Sequence, residues 1–169
     1  MSRVREVRVG EPHRPVPVKL INFVGRAATR LGLKPIELNP DALMKSAIAK
    51  AGCDDFGGDE CREGLRRFLQ SADREADLTL LGRLMVRGYA VDNLVNRLRV
   101  VDWRKRHPEI EREEIIAPLF IIGLPRTGTT ILHGLLEQDP ANRSPLSWEV
   151  QHPVPPASPQ TWADDPRIA

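Results

Sequence analysis

The sequence predicts an α/β fold with a mainly α-helical N-terminal part. Apolar residues recur at helical spacing from residue 16 to about residue 106, which indicates several amphipathic helices. The apolar run at 119–122 is typical of a central strand in a parallel sheet, because such strands are covered on both faces. A loop containing Gly123 and Gly128 then leads into a helical pattern that starts at Thr129. Strand, loop and helix in this order indicate a βα unit.

Residues with capping preferences mark the ends of the first two predicted helices. The first helix, 16–31, is expected to end at Gly32. The second has Asn39 as its N-cap and Pro40 at its first helical position, and Gly52 closes it.

Two further helices are predicted before the strand. The third is expected to start after the Gly-Gly-Asp sequence at 57–59. The fourth is expected to be capped by Asp77 and to run to about Arg106, where His107 and Pro108 break it. The apolar side chains on the helical faces of these four segments are Val18, Ile21, Phe23, Val24, Leu31, Leu43, Met44, Ala47, Ile48, Leu65, Phe68, Leu69, Leu81, Leu84, Met85, Leu94, Val95, Leu98 and Val101.

Residues 83–106 of the fourth helix carry an excess of positive charge. The cations are Arg83, Arg87, Arg97, Arg99, Arg104, Lys105 and Arg106, and the opposing acids are Asp92 and Asp102. A basic face of this kind can attract an anionic nucleotide or an acidic acceptor. A solvated helix surface is the more common explanation of such a pattern, and we favour it here.

Length and composition favour a soluble globular domain. The chain has 169 residues, of which 41% are hydrophobic and 28% are charged, and its net charge of +2 gives no strong case for nucleic-acid binding. No apolar run approaches the roughly 20 residues that span a bilayer, and the N-terminus lacks the apolar core of a secretory signal. Cys53 and Cys61 have no companion pair for a zinc site, so we expect reduced thiols, no metal and a cytoplasmic location.

The loop at 123–130 has the composition of an anion-binding site. A helix N-terminus exposes unpaired N–H groups and a partial positive charge, and a strand–loop–helix turn aims these groups at one point. Gly128 allows a close backbone approach to an anion, and Arg126 adds a guanidinium that matches a tetrahedral oxyanion. Further hydroxyl donors are Thr127, Thr129 and Thr130.

The spacing of the two loop glycines is that of a Walker A motif, but the motif is incomplete. Thr129 stands where the motif has Lys, and Thr130 stands where it has Ser or Thr. The sequence therefore predicts a phosphate site and argues against ordinary ATP hydrolysis. The alternative to a phosphate site is an ordinary turn in which glycine only allows the backbone conformation. This loop, however, contains more hydrogen-bond donors than such a turn requires.

The sequence Gly-Leu-Pro-Arg-Thr-Gly-Thr-Thr-Ile-Leu at 123–132 resembles a loop of known function. It is similar to the 5′-phosphosulfate-binding loop of sulfotransferases that use 3′-phosphoadenosine 5′-phosphosulfate (PAPS). The Pro-Arg form resembles that of bacterial sulfotransferase-like proteins and tyrosylprotein sulfotransferases, whereas the cytosolic enzymes usually have Pro-Lys. Ser-Trp-Glu at 147–149 and the segment 152–156 resemble the continuation of the bacterial family, so the resemblance covers about 119–156.

This resemblance implies a P-loop-type three-layer sulfotransferase fold and transfer of a sulfuryl group from PAPS to a hydroxyl or amine acceptor. It implies that Arg126 stabilises the charge that develops on the leaving phosphate. The residues implied to bind the 5′-phosphate are Arg126, Thr127, Gly128, Thr129 and Thr130.

The acceptor requires a base, and the resemblance makes Glu149 the candidate. In the similar enzymes the proposed base is a Glu roughly twenty residues beyond the loop cation. We expect the neighbouring Trp148 and Val150 to desolvate the carboxylate and raise its pKa. His152 is the alternative base, because the ordinary pKa of His already suits the task.

The family also implies that the chain is the N-terminal part of a larger protein. The family's 3′-phosphate contacts lie on later elements, and the Pro-rich segment 153–159 is typical of an extended connector. The expected organisation is an irregular segment 1–15, a helical region 16–117, and the start of the P-loop-like sulfotransferase domain at 118–169. The expected partners are the nucleotide donor, an unidentified acceptor, and either a missing C-terminal half or a second copy.

Two other functions remain open at this point. The first is a non-catalytic helical module with a vestigial anion-binding loop. The second, less favoured, is a P-loop kinase of small molecules, which the missing Walker lysine opposes.

Overall fold

A computed structural model describes residues 15–33, 36–124, 126–158 and 164–168 of the chain. In these ranges the chain forms six α-helices, one short 3₁₀ helix and no β-strand. The irregular segment predicted at 1–15 lies, apart from Pro15, outside the described residues. The helices are α1 (Val16–Arg30), α2 (Pro40–Ala51), α3 (Glu60–Arg74), α4 (Leu80–Arg106), α5 (Thr129–Leu136) and α6 (Ser147–Gln151), with the 3₁₀ helix (Pro108–Arg112) between α4 and α5. None of the described helices is both long and apolar enough to cross a membrane.

The chain divides into two compact units, and the division runs through α2 and α4. The first unit contains Met1–Ser46 and Asp59–Asp92, and the second contains Ala47–Gly58 and Asn93–Ala169. Buried apolar side chains in the first unit are Leu38, Leu43, Met44, Leu69, Ala72, Ala90 and Val91. Those in the second unit are Ala47, Phe56, Leu94, Val95 and Leu98. Cys53 and Cys61 are both reduced thiols, as predicted.

The predicted capping of α2 is confirmed. The side-chain oxygen Oδ1 of Asn39 accepts a hydrogen bond from the N–H of Ala42 at 3.1 Å, and Pro40 is the first helical residue. At the other end, Gly52 has a φ of 76° and donates its N–H to the carbonyl of Ile48 at 2.9 Å. The left-handed conformation of Gly52 ends the helix at little steric cost.

The predicted cap of α4 is wrong by two residues. Thr79, not Asp77, occupies the capping position, and its hydroxyl accepts a hydrogen bond from the N–H of Gly82 at 3.2 Å. Asp77 instead has a φ of 42°, in the turn before the helix. The end of the helix at Arg106 is as predicted, because Pro108 follows.

Several cations of α4 bind carboxylates and backbone carbonyls of the fold, which the cations of a purely solvated helix surface would not do. In the first unit, Arg83 pairs with Asp73 and donates to the carbonyl of Ile36 at 2.9 Å. In the second unit, Arg97 donates to the carbonyl of Phe56 at 2.7 Å. Further ion pairs join Arg104 with Glu111, Lys105 with Asp55 and Arg106 with Asp102. Much of the predicted excess charge is therefore used within the units, which argues against a dedicated nucleotide-binding face.

The predicted strand at 119–122 does not form. This segment has no regular secondary structure, and the side chains of Leu119, Phe120 and Ile122 are 66%, 77% and 93% exposed. A strand requires a neighbour to pair its backbone N–H and C=O groups, and no described segment supplies one. Residues 142–146 also have no regular secondary structure. The described residues are therefore helical and irregular, and the α/β class predicted from the sequence is not realised in them.

The solvent-facing side of α1 differs from the predicted one. Phe23 and Val24 belong to the predicted apolar face, yet they are 65% and 54% exposed, and the neighbouring Leu20 is 61% exposed. The buried face instead contains Asn22 and Gly25. Gly25 lies so close to Leu80 that a Cβ at position 25 would clash with the Cβ of Leu80. This close approach sets the rotation of α1 and turns its apolar side outward.

The contact at Gly25 predicts opposite effects for two glycine-to-alanine substitutions. Gly25→Ala should lower the free energy of unfolding by about 1–3 kcal/mol, because the added methyl group overpacks against Leu80. Gly64→Ala, in the middle of α3 with open space around it, should raise stability by about 0.5–1 kcal/mol through better helix propensity. Urea denaturation measures both. A stabilising Gly25→Ala would contradict the described position of α1.

Candidate functional site

The loop predicted to bind an anion lies directly before α5. Gly128 is the N-cap of this helix and has a left-handed conformation, with φ 89° and ψ 9°. Its carbonyl accepts the N–H groups of Ile131 and Leu132, each at 3.1 Å. The N–H groups of Thr129 and Thr130 precede the first intrahelical donors and are therefore available to an anion.

Gly123 is required by a close approach inside the loop. A Cβ at this position would lie 2.7 Å from Cγ2 of Thr129 and 2.9 Å from Oγ1 of Thr127. The hydroxyl of Thr127 donates to the carbonyl of Leu124 at 2.6 Å, which holds the loop in a tight turn. The sequence identified Gly123 only through the glycine spacing, whereas the structure gives it a steric role.

The Thr127 hydroxyl differs from the two hydroxyl groups that follow it. Its proton is committed to the carbonyl of Leu124, so it closes the loop and is not a ready donor to a ligand. Thr129 is half-buried and Thr130 is exposed at the start of α5. Of the three predicted hydroxyl donors, Thr129 and Thr130 therefore remain the better candidates.

Arg126 presents an uncommitted guanidinium at the loop. Its side chain is exposed, and within the described part of the chain it makes no hydrogen bond or ion pair. Its φ of 69° is in the left-handed region, which is uncommon for a residue with a Cβ. Strained backbone of this kind is often found where a side chain must point at a ligand.

Glu149 lies on α6 and is already engaged in two interactions. Its Oε2 accepts the N–H of Leu146 at 2.7 Å, and its Oε1 accepts from the guanidinium of Arg143 at 2.5 Å. Only 12% of the Glu149 side chain is exposed. Glu149 thus caps the first turn of α6 from the third helical position.

These contacts lower the pKa of Glu149 and do not raise it as the sequence suggested. The Leu146 N–H, followed by the Arg143 guanidinium, holds the pKa of the Glu149 carboxyl below its ordinary value. Burial of Glu149 does act to raise its pKa, but the hydrogen bonds outweigh it. At neutral pH the carboxylate is therefore firmly ionised.

A cavity of about 450 Å³ opens beside Glu149. Its lining includes Arg143, His152 and Arg167 together with several apolar and proline side chains. The alternative base, His152, thus shares this cavity with Glu149. Within the described residues, no hydrogen bond or ion pair links the Arg126 loop to Glu149.

Arg167 organises the wall of this cavity, and sequence reasoning missed it. Its guanidinium pairs with Asp165 at 2.5 Å and donates to the carbonyls of His152 and Pro155 at 2.8 and 2.5 Å. It also lies over the ring of Trp148 at 4.8 Å. The arginine is far from the loop in sequence and belongs to no recognisable motif, so no local signal marked it.

A glycine-tight loop, an exposed arginine and a helix N-terminus make 123–130 a candidate anion-binding site. Comparison with known proteins indicates the family that this segment resembles. Residues 118–169 match the model of the sulfotransferase family. The predicted resemblance to that family is confirmed. No match is found among curated proteins.

Two solved structures of mycobacterial sulfotransferases share the fold of this chain. STF1 from Mycobacterium tuberculosis is 40% identical, with a TM-score of 0.66, over 75% of this chain and 35% of its own. STF9 from Mycobacterium avium is 37% identical, with a TM-score of 0.68, over 79% of this chain and 34% of its own. The chain therefore spans about a third of the length of these relatives.

The engagement of Glu149 predicts the response of its pKa to two substitutions. Arg143→Gln should raise the Glu149 pKa, and Leu146→Pro should raise it further, because the Leu146 N–H makes the larger contribution. Proline suits this position, since Leu146 already has a φ of −74°. Carboxyl-detected NMR titration measures these values.

Arg112→Gln, on the exposed 3₁₀ helix, is the matched control and should leave the titration unchanged. Because folding lowers the Glu149 pKa, its contribution to stability is present above the ordinary value of 4.5 and is lost as the pH falls below it. A Glu149 pKa at or above 4.5 in the unsubstituted chain would contradict the described contacts.

Proposed function

We propose that this chain carries the donor-binding loop of a PAPS-dependent sulfotransferase. The proposed reaction of the whole protein moves a sulfuryl group from PAPS to a hydroxyl or amine acceptor. The loop at 123–130 carries the proposal, because it combines a tight glycine turn, unpaired helix N–H groups and an uncommitted Arg126 within the segment that matches the family.

The residues of the loop fit the phosphosulfate end of PAPS. A doubly charged anion is favoured at a helix N-terminus, where the N–H groups of Thr129 and Thr130 are available. Gly128 has no Cβ, so the backbone at the N-cap is accessible to an anion. Arg126 supplies the compensating charge, and Thr127 holds the turn closed.

PAPS, when bound, supplies an activated sulfuryl group with a phosphate as its leaving group. Arg126 would stabilise the negative charge that develops on that phosphate, because a cation there interacts more strongly with the transition state than with the ground state. Its guanidinium is too basic to donate a proton, so this role is electrostatic.

Glu149 is our candidate for the group that accepts the proton of the acceptor. Its carboxylate is ionised at neutral pH and faces a cavity, but its lowered pKa makes it a weak base. Release of the Arg143 contact on acceptor binding would increase its basicity. His152, on the same cavity, is the alternative base.

The α/β domain that the sequence predicts at 118–169 is part of the same proposal. We infer that 118–169 begins a three-layer α/β domain, in which 119–122 forms a strand once neighbouring strands are present. The exposure of Leu119, Phe120 and Ile122 supports this inference, because an apolar run of this kind is normally covered. We also propose a cytoplasmic location.

Nucleotide binding by the 169-residue chain tests the donor class. The chain should bind 3′-phosphoadenosine 5′-phosphate through its 5′-phosphate, as measured by isothermal titration calorimetry. Gly123→Ala should weaken this binding by about tenfold or more, because its Cβ would force Thr127 and Thr129 apart. Gly134→Ala in α5, where a Cβ meets open space, is the control and should bind normally. Binding of ATP alone would instead favour a small-molecule kinase.

Catalysis can be tested in a chimera in which this chain replaces the matching third of STF1. In that chimera, Arg126→Ala should lower kcat about a hundredfold or more with a smaller loss of donor affinity. Arg87→Ala, on an exposed part of α4, is the matched control. If Arg126→Ala weakens donor binding but leaves kcat unchanged, Arg126 only tethers the donor.

The same chimera distinguishes the two candidate bases by substitution. If Glu149 is the base, Glu149→Gln removes most of the rate and His152→Ala has little effect. If His152 is the base, the two substitutions have the opposite effects.

A further inference from the structure

Helix α1 presents an apolar stripe to solvent. The stripe consists of Val16, Leu20, Phe23, Val24 and Leu31, each more than half exposed. Val16, Leu20 and Val24 lie four residues apart and Phe23 lies three residues after Leu20, so they share one side of the helix, and Leu31 follows just beyond its end, seven residues after Val24. The opposite side is fixed against the first unit by the burial of Asn22 and Gly25. Rotation of α1 to bury the stripe would lose the close contact of Gly25 with Leu80.

A column of positive charge follows one edge of this stripe. Lys19, Arg26 and Arg30 are exposed and lie seven and four residues apart, which places them above one another on the helix. No Asp or Glu occurs in α1. A groove of about 510 Å³ joins the two features, because its lining combines Arg26 and Arg30 with Phe23, Ala27 and Leu31.

We propose that α1 binds the surface of a membrane that contains anionic phospholipid. A helix that lies in the membrane interface buries an apolar face among the acyl chains and directs Lys or Arg towards the headgroups. The stripe and the adjacent cation column of α1 have this arrangement. Phe23 and Leu20 would insert, while Arg26 and Arg30 would contact phosphate groups.

Charge complementarity favours an anionic lipid surface over a second copy of this chain. A symmetric contact between two α1 helices would bring together two cation columns, and neither helix has a carboxylate to pair with them. A phospholipid surface instead supplies many negative charges beside an apolar layer. The proposal is independent of the donor loop, because α1 lies outside the segment that matches the sulfotransferase family.

Flotation of the 169-residue chain with lipid vesicles tests the proposal. The chain should float with vesicles made of equal parts phosphatidylglycerol and phosphatidylcholine, and should not float with phosphatidylcholine alone. Binding should weaken when NaCl is raised to about 0.5 M, because salt screens the attraction of the cations. Absence of binding to the anionic vesicles, or equal binding to both kinds, would overturn the proposal.

Matched variants separate the contributions of charge and apolar contact. The double substitution Arg26→Gln and Arg30→Gln should weaken binding by about twenty-fivefold, at roughly fivefold for each cation. Phe23→Ser should weaken it by about tenfold or more. The control, Arg74→Gln with Arg87→Gln, removes two exposed arginines elsewhere in the first unit and should bind as the unsubstituted chain does. An equal loss in the control would show unspecific attraction and overturn the proposal.

Two further measurements test whether misfolding or dimer formation explains the loss of lipid binding in the variants. Circular dichroism should show unchanged helix content in every variant, since the substituted side chains are exposed. Sedimentation velocity without lipid should show a monomer. A dimer that Phe23→Ser dissociates would assign the stripe to a second copy of this chain and overturn the lipid proposal.

Discussion

Two guanidinium-to-carbonyl contacts made by α4 constrain the rest of the structure. This helix contributes residues to both compact units, and in each unit one of its arginines is bound to a loop backbone. Arg83 binds the carbonyl of Ile36 in the first unit, and Arg97 binds the carbonyl of Phe56 in the second. Hydrogen bonds from a charged donor contribute more than neutral ones, and a carbonyl left without a partner costs stability. The loops before α2 and before α3 therefore depend on a helix that is distant from both in sequence.

The sequence predicted the helices well where local chemistry decides and poorly where long-range contacts decide. Asn39, Pro40 and Gly52 marked the ends of α2 correctly, because capping depends on adjacent residues. The outward face of α1 was not predictable, because a contact between Gly25 and Leu80 sets its rotation. The prediction of a strand at 119–122 was wrong for the described residues, because strand formation requires a neighbouring strand as well as an apolar run.

For the candidate site too, local features were predictable from the sequence and long-range contacts were not. The glycine spacing and the cluster of Arg and Thr residues located the loop, and the family match at 118–169 is consistent with it. The bond of Thr127 to Leu124 and the contacts of Glu149 were not predictable, since residue type does not specify which partner a side chain selects. Arg167 acts through carbonyls of a distant segment, so no sequence pattern indicated its role.

The bond from the Thr127 hydroxyl to the Leu124 carbonyl has a consequence for the thermodynamics of ligand capture. It closes the turn by contacts within the protein, so the conformational entropy of this loop is lost during folding and not at the moment of binding. A preorganised loop retains more of its interaction energy as affinity. The guanidinium of Arg126, which has no partner in the described residues, can then adjust to the charge in front of it.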